Sequence, residues 1–290
     1  MVVIAKDWQD YQLIDAGNKD KLELWKDVLL VRPDPQAIWQ KGHDHRWNKF
    51  DAKYNRSDKG GGSWTFNQKL PEYWTVSYKN LVFKVSLTNF KHTGLFPEQA
   101  ANWDWLSDLI KNSDKEIRVL NLFAYTGGAT IACSKAGAKE VVHVDAAKGM
   151  INWAKENMIL NNLENNTIRF IVDDALKFIK KEQKRGRKYH IIIMDPPSYG
   201  RGPNNEIWKL EDKIEELIQE TVKLLDDKPL AFLVNAYTTG FSLIALDNIM
   251  KKYLLKTFPK GKINTVQLGL PIQNSNMILP CGISGRFQLE

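Results

Sequence analysis

The chain has 290 residues, 43% of them hydrophobic and 26% charged, with 41 Lys+Arg against 34 Asp+Glu, a formal charge of +7 and a pI of about 9.1. That hydrophobic fraction supplies a sizeable core and excludes wholesale disorder, and no apolar run approaches the roughly 20 residues a bilayer span needs. Two cysteines, Cys133 and Cys281, are too few for a disulfide scaffold, and no Cys/His spacing suggests zinc.

The first ten residues carry no signal-peptide pattern, because Lys6 and Asp7 interrupt the apolar stretch at once. The expectation is a soluble cytoplasmic protein with one large and one small domain. Its basic surface suits a polyanion such as RNA or DNA, although mild basicity also occurs without such a partner.

Six of the ten tryptophans fall before Gly94, among turn signals and short apolar alternations. Tyr11 to Ala16, Asp27 to Arg32, Ser63 to Asn67, Thr75 to Tyr78 and Leu81 to Leu87 read as strands, with Tyr78-Lys-Asn-Leu81 as a hairpin turn. Residues 1–94 are therefore expected to form a small β-rich domain. Within it, Lys41 to Gly62 interleaves Arg46, Lys49, Lys53, Arg56 and Lys59 with Trp47, Phe50 and Tyr54, and ends in Gly60-Gly61-Gly62. Cations track phosphates and rings stack on bases, so this stretch is a candidate RNA surface. A solvated loop anchored by its aromatics is the competing reading.

Residues 95–290 read as α/β. Helix is expected over Glu98 to Lys111, with Trp103 and Leu106 on one face, and strand over Arg118 to Phe123. Helix follows over Gly128 to Ala136, strand over Glu140 to Val144, and helix over Gly149 to Asn161. The strand Thr167 to Val172 and the helix Ala175 to Lys184 come next, then the strand Tyr189 to Met194. A helix over Trp208 to Leu225 leads to the strand Leu230 to Asn235. Strands alternating with helices imply a parallel, Rossmann-like sheet. Ile263 to Leu268 and Met277 to Ile283 lack an intervening helix, which implies one antiparallel strand near the C-terminus.

Ligands of such sheets sit at the carboxyl ends of the strands. The first strand is followed by Asn121-Leu-Phe-Ala-Tyr-Thr-Gly-Gly128, a turn through which a ligand can approach backbone; it is neither GxGxxG nor a phosphate loop. The second ends at Asp145, able to accept from two ribose hydroxyls or to cap the next helix. Asp173 and Asp174 follow the third, one suited to an adenine amine and the other to capping. The fourth ends in Asp195-Pro196-Pro197-Ser198-Tyr199-Gly200-Arg201-Gly202. There the prolines fix the backbone and leave carboxylate and carbonyls as acceptors.

Together, Asn121 to Gly128, Val142-His-Val-Asp145, Val172-Asp-Asp-Ala175 and Met194-Asp-Pro-Pro197 resemble the successive motifs of class I S-adenosylmethionine-dependent methyltransferases. Phe123 to Gly128 with Asp-Pro-Pro is similar to the bacterial large-subunit (23S) ribosomal RNA branch, whose members modify cytosine C5 or guanine N7. His92-Thr-Gly-Leu-Phe-Pro-Glu-Gln99 resembles that branch's segment over the cofactor. The resemblance covers Lys91 to Asn235 most fully; residues before about 90 do not match the RNA-binding PUA module. It implies that Phe123, Tyr125, Thr126 and Gly127, with Gly128, surround the methionine part of S-adenosylmethionine. Asp145 would hold the ribose, Ala146 would pack on the adenine, and Asp174 with Ala175 would address the adenine edge. Thr93 and Gln99 would close the pocket.

Asp195, Pro196, Pro197 and Tyr199 would face the transferable methyl and the incoming base, although Ser198 stands where amine methyltransferases place an aromatic. Cytosine C5 chemistry needs a nucleophilic cysteine. The strand end Asn235-Ala-Tyr-Thr-Thr-Gly240 has none, and Cys133 and Cys281 read as packing residues, so direct in-line transfer is expected. The five histidines form no metal set; His143 and His190 read as core residues in strands. A non-RNA substrate, an NAD-dependent oxidoreductase and a non-catalytic RNA-binding protein are the alternatives. The absent GxGxxG and the Asp-Pro-Pro argue against the oxidoreductase.

Overall fold

The computed structural model describes residues 1–57, 61–201 and 207–289, so Lys59, Gly60 and Gly202 lie outside the described residues. The chain forms two compact units. The smaller comprises Ile4–Ala100 with Gly269–Cys281; the larger comprises Met1–Val3, Ala101–Leu268 and Gly282–Glu290. Both units are thus assembled from separated stretches, which a single boundary near residue 94 does not anticipate.

After β1 (Val2–Ile4), the small unit contains β2 (Tyr11–Gly17), β3 (Asp20–Trp25), β4 (Val28–Pro33), β5 (Ala52–Arg56) and β6 (Gly62–Phe66), hydrogen-bonded in sequence order. A hairpin of β7 (Trp74–Tyr78) and β8 (Leu81–Val85) accompanies them. All neighbours are antiparallel except β4 and β5. Asn18 and Lys19, both left-handed, make the two-residue turn between β2 and β3, a geometry that matches strand twist. Ile14, Leu22 and Val31 form a core under Trp47 and Phe50. The stretch 41–62 is therefore not an open loop: it contains a short 3₁₀ turn at His45–Asn48 and all of β5.

The large unit runs α1 (Ala100–Lys111), β9 (Arg118–Leu122), α2 (Gly128–Lys135), β10 (Glu140–Asp145), α3 (Lys148–Leu160), β11 (Ile168–Val172), α4 (Ala175–Lys184) and β12 (Ile191–Met194). It continues through β13 (Tyr199–Arg201), β14 (Ile207–Lys209), α5 (Leu210–Val222), β15 (Ala231–Ala236), α6 (Leu243–Met250), β16 (Gly261–Pro271) and β17 (Ile278–Leu289). Eight strands form one sheet in the order β1-β16-β17-β15-β12-β9-β10-β11. From β11 to β15 every pairing is parallel, and β17 is antiparallel to β15, the insertion implied by the helix-free tail.

Side chains alternate between the two sheet faces. Leu120, Val142, Ile192 and Phe232 meet Phe178, Ile214 and Leu217 on one side, while Val119, Val141, Ile191 and Leu233 meet Leu106, Ile110 and Cys133 on the other. Several features depart from the sequence expectation, three of them in the large unit. Trp208 begins no helix but sits in β14, paired with Gly200 of β13. Helix α6 fills a span that carried no predicted element. His190 precedes β12 rather than lying within it, and its Nδ1 accepts from the Arg118 N–H at 3.1 Å. No helix among the described residues is long and apolar enough to cross a membrane.

Candidate active site

Strand β9 is flanked by β10 on one side and β12 on the other, and the chain fills β10 and β11 before returning to β12 and β15. The reversal in strand order opens a crevice at the carboxyl ends of β9 and β12, where open α/β sheets bind ligands. The Gly-Gly turn and the three acidic strand ends lie along this edge. Backbone bonds tie the ends together: Ala124 N–H donates to Val144 O at 3.0 Å, Asp173 N–H to Asp145 O at 3.2 Å, and Asp195 N–H to Leu122 O at 3.3 Å.

The turn after β9 is strained. Phe123, Tyr125 and Gly127 all have left-handed φ, of 54°, 51° and 88°. For the two aromatic residues this conformation costs of order 1–3 kcal/mol each, and such strain persists only where the surroundings fix it. Asp145 does the fixing: one carboxylate oxygen accepts from Tyr125 N–H at 2.9 Å, the other from Ala147 N–H at 2.8 Å. Each oxygen keeps a second acceptor site, and the residue is half-buried rather than sealed. Thr126 is buried, and its carbonyl accepts from Asn157 Nδ2 of α3 at 2.8 Å.

Glycine is required at both positions of the pair. Gly127 is left-handed, and a Cβ there would approach Ala154 Cβ to 3.1 Å; a Cβ on Gly128 would stand 2.6 Å from the Trp103 ring. The turn therefore feeds α2 at a fixed angle with no side-chain cap, and its partly open first residues Gly128 and Ala129 expose backbone to the crevice edge. Below it, Thr130 Oγ1 accepts from Asn121 Nδ2 at 3.0 Å and lies 2.9 Å from His143 Nδ1. Burial pushes the His143 imidazole down to about 3, so it is a neutral strut.

Farther along, Ala146 directly after β10 is exposed, and Val172, which pairs with Asp145 from β11, is 52% exposed, so apolar surface adjoins the β10 end. Asp174 is the helix cap of its pair, accepting from Lys177 N–H at 2.9 Å, while Asp173 pairs with Lys181 at 2.7 Å. Ala175 is buried. Asp195 is half-buried, Pro196 buried and Pro197 exposed. Trp208 Nε1 donates to the Pro197 carbonyl at 2.7 Å and its ring lies 5.8 Å from that of Phe123, so β14 braces the Asp-Pro-Pro turn. Tyr199 stands 54% exposed on β13.

Thr93 and Gln99 belong to the small unit, where both are buried. Tyr54 is 3% exposed and packs edge-on to Trp64, so it has no face for a base. Trp47 Nε1 donates to Asp15 Oδ2 at 2.7 Å beneath Lys41, and Arg46 forks onto Asp44 at 2.6 and 2.9 Å. Lys53 stands 3.9 Å from Asp20, whereas Lys49 and Arg56 are exposed. Sequence reasoning missed Asn157, Trp208 and Trp103, whose roles depend on residues distant in the chain.

A half-buried carboxylate at the second strand end, a strained turn at the first and a proline-stiffened acceptor turn at the fourth define a Rossmann-like transferase that takes an adenosine-bearing cofactor. Residues 39–225 match the family described as S-adenosylmethionine-dependent methyltransferase, and the chain belongs to that family. The match starts well inside the small unit, earlier than the motifs alone suggest. A crystal structure of a SAM-dependent methyltransferase from Agrobacterium tumefaciens is 35% identical and superposes with a TM-score of 0.93, covering 100% of this chain and 94% of that one.

Two curated relatives carry the name ribosomal RNA large subunit methyltransferase K/L. The protein from Shewanella frigidimarina is 33% identical over 69% of this chain and 26% of its own length. That from Shewanella baltica is 30% identical over 92% of this chain and 34% of its own length. The chain thus spans about a quarter to a third of those relatives. It is an enzyme, and S-adenosylmethionine is its cofactor. The residues present fit that group: Asp145 retains acceptor capacity for two hydroxyls, and apolar Ala146 and Val172 adjoin it with exposed surface.

Proposed function

We propose that the enzyme methylates a base in RNA, with ribosomal RNA as the substrate, by direct in-line transfer and without a covalent enzyme adduct. The observation that carries this reading is the likeness to relatives named for large-subunit ribosomal RNA, at 30–33% identity. Cytoplasm, where ribosomes assemble, is the matching location. When bound, S-adenosylmethionine supplies a methyl group on a sulfonium, a good leaving group, so alignment and exclusion of water are the protein's main tasks.

Asp145 holds the ribose hydroxyls; Ala146, Asp174 and Ala175 line the adenine side. Phe123, Tyr125, Thr126, Gly127 and Gly128 shape the methionine side. Asp195 and the Pro196 carbonyl would face the incoming base and offer acceptors to an amine on it. Pro197 and Tyr199 bound the entry. A cysteine adduct has poor support: Cys133 is fully buried, and burial pushes its thiol up to about 12. Burial, with Glu98 nearby, raises the Cys281 thiol as well.

The test incubates the full chain with labelled cofactor and unmodified 23S ribosomal RNA transcript, followed by nucleoside mass spectrometry. A single methylated nucleoside is expected, and the double change Cys133→Ala, Cys281→Ser leaves turnover per folded molecule unchanged. No label in RNA would sink the substrate assignment; turnover abolished by either cysteine change would sink the direct mechanism.

A further inference from the structure

The carboxyl end of β15 carries features that the cofactor does not account for. Strands β12 and β15 run parallel in the register Met194 with Val234, so the end of β15 emerges beside Asp195-Pro196-Pro197. Its first polar side chain is already committed: Asn235 Oδ1 accepts from Asn102 Nδ2 at 3.1 Å and from Ser284 Oγ at 2.5 Å. Tyr237 and Thr238, past Ala236, are different.

Tyr237 is half-buried, and its ring rests on the bare backbone of Gly282 in β17. A Cβ on Gly282 would lie 2.8 Å from Tyr237 Cδ1 and 3.0 Å from Cε1. Gly282 is not among the left-handed residues, so its backbone conformation does not demand glycine; the ring above it does. Gln267 Nε2 donates to the Gly282 carbonyl at 2.7 Å and pins this seat. In the residue that follows, Thr238 Oγ1 is buried with no hydrogen-bond partner among the described residues. A buried hydroxyl left unpaired is costly and rare. An aromatic ring seated on backbone, followed in the chain by an unspent hydroxyl, is the chemistry that recognises an unstacked base by its face and its edge.

We propose that Tyr237, held by Gly282, is the platform on which the target base stacks, and that Thr238 hydrogen-bonds to the base edge. The inference rests on the RNA reading above and names the residues that receive the base. Gly282 is a positioning residue, acting only through the ring it seats.

The test measures methyl transfer from labelled cofactor to unmodified 23S ribosomal RNA transcript by wild type, Y237A, Y237F, G282A and T238V. S-adenosylhomocysteine affinity is followed by calorimetry, and ultraviolet crosslinking of the same transcript is mapped by peptide mass spectrometry. Y237A should lower kcat/KM by about tenfold to a hundredfold, the range expected for one lost stacking contact. Y237F should recover most of that loss, G282A should follow Y237A, and T238V should lower kcat/KM in the same direction. Cofactor affinity should stay at the wild-type value throughout, which a general packing defect would not allow. Wild-type turnover in both Y237A and G282A overturns the proposal and leaves the RNA reading standing. Should wild type transfer no methyl to the transcript, the RNA reading falls. In that case a crosslink on the Tyr237 peptide sustains base binding here, and its absence overturns it.

Discussion

Asp145 does more than the ribose contact proposed for it. Because its carboxylate also accepts from Tyr125 and Ala147 N–H groups, it holds the strained turn in place. Asp145→Ala should therefore weaken S-adenosylhomocysteine binding and also lower stability by about 1–3 kcal/mol, the range for orphaned partners. Calorimetry and urea unfolding read the two effects separately; weakened binding at unchanged stability would mean the turn stands without it. His143 offers a second test, in pH. Its folded value of about 3 lies below the unfolded 6.5, so between those values the unfolded state binds a proton that the native state refuses. Its contribution is complete above pH 6.5 and is lost as pH falls, by about 1.4 kcal/mol per unit. His92, pushed down to about 4 by burial and by Arg32, acts in the same direction in the small unit. Between pH 7.5 and 5.5, His143→Gln should shrink the wild-type fall in urea-unfolding free energy by about 1.4 kcal/mol. An undiminished fall would show that His143 takes up its proton in the folded state.

Among the elements, the junction of turn and α2 is the most tightly specified. Gly128→Ala pushes a methyl to within 2.6 Å of the Trp103 ring and should cost about 1–3 kcal/mol by overpacking. In a Trp103→Leu background the same change should cost about 0.5 kcal/mol or less, because the colliding ring is gone. Equal costs in both backgrounds would place the strain in the backbone instead. Such a contact is invisible in sequence, where Trp103 reads only as one apolar face of α1. Local signals were legible: α4 was read to the residue, since Asp174 caps it and Phe178 and Ile179 supply its buried face. The strand-end acids were legible for the same reason, each closing its own apolar run. Elements fixed by distant partners were not. β3 escaped notice because Glu23 breaks its apolar pattern, and distant partners make that carboxylate buriable: Arg32, bonded to it at 2.6 and 2.8 Å, and the Tyr11 hydroxyl at 2.8 Å. Trp208 was read as helix because nothing nearby reveals its bond to Pro197. α6 was missed because Leu-Ile-Ala-Leu is an unspaced apolar run, of which Leu246 and, one turn on, Met250 are buried.

At the scale of the whole molecule, the proposed RNA substrate asks that the charge of +7 hold a polyanion beyond the crevice proposed for the cofactor. The stretch 41–62 looked like a continuous basic and aromatic surface, yet most of it serves the small unit itself. Arg46 is spent on Asp44 and Trp47 on Asp15, Lys53 stands beside Asp20, and Tyr54 lies in the interior. Lys49 and Arg56 remain exposed, with no ion-pair partner among the described residues. If they neutralise RNA phosphates, each adds about 0.7 to the slope of log affinity against log salt for a single strand. The double change Lys49→Ser, Arg56→Ser should then lower the slope for 23S transcript by about 1.4. S-adenosylhomocysteine affinity should not change. Arg46→Ser behaves differently: it strips Asp44 of its partner, so it should alter the stability of the small unit and leave the slope nearly intact. A salt series with all three proteins separates these outcomes. Identical slopes for wild type and the double variant would make 41–62 scaffold alone, and the phosphate contacts would then have to come from other basic surfaces of the chain.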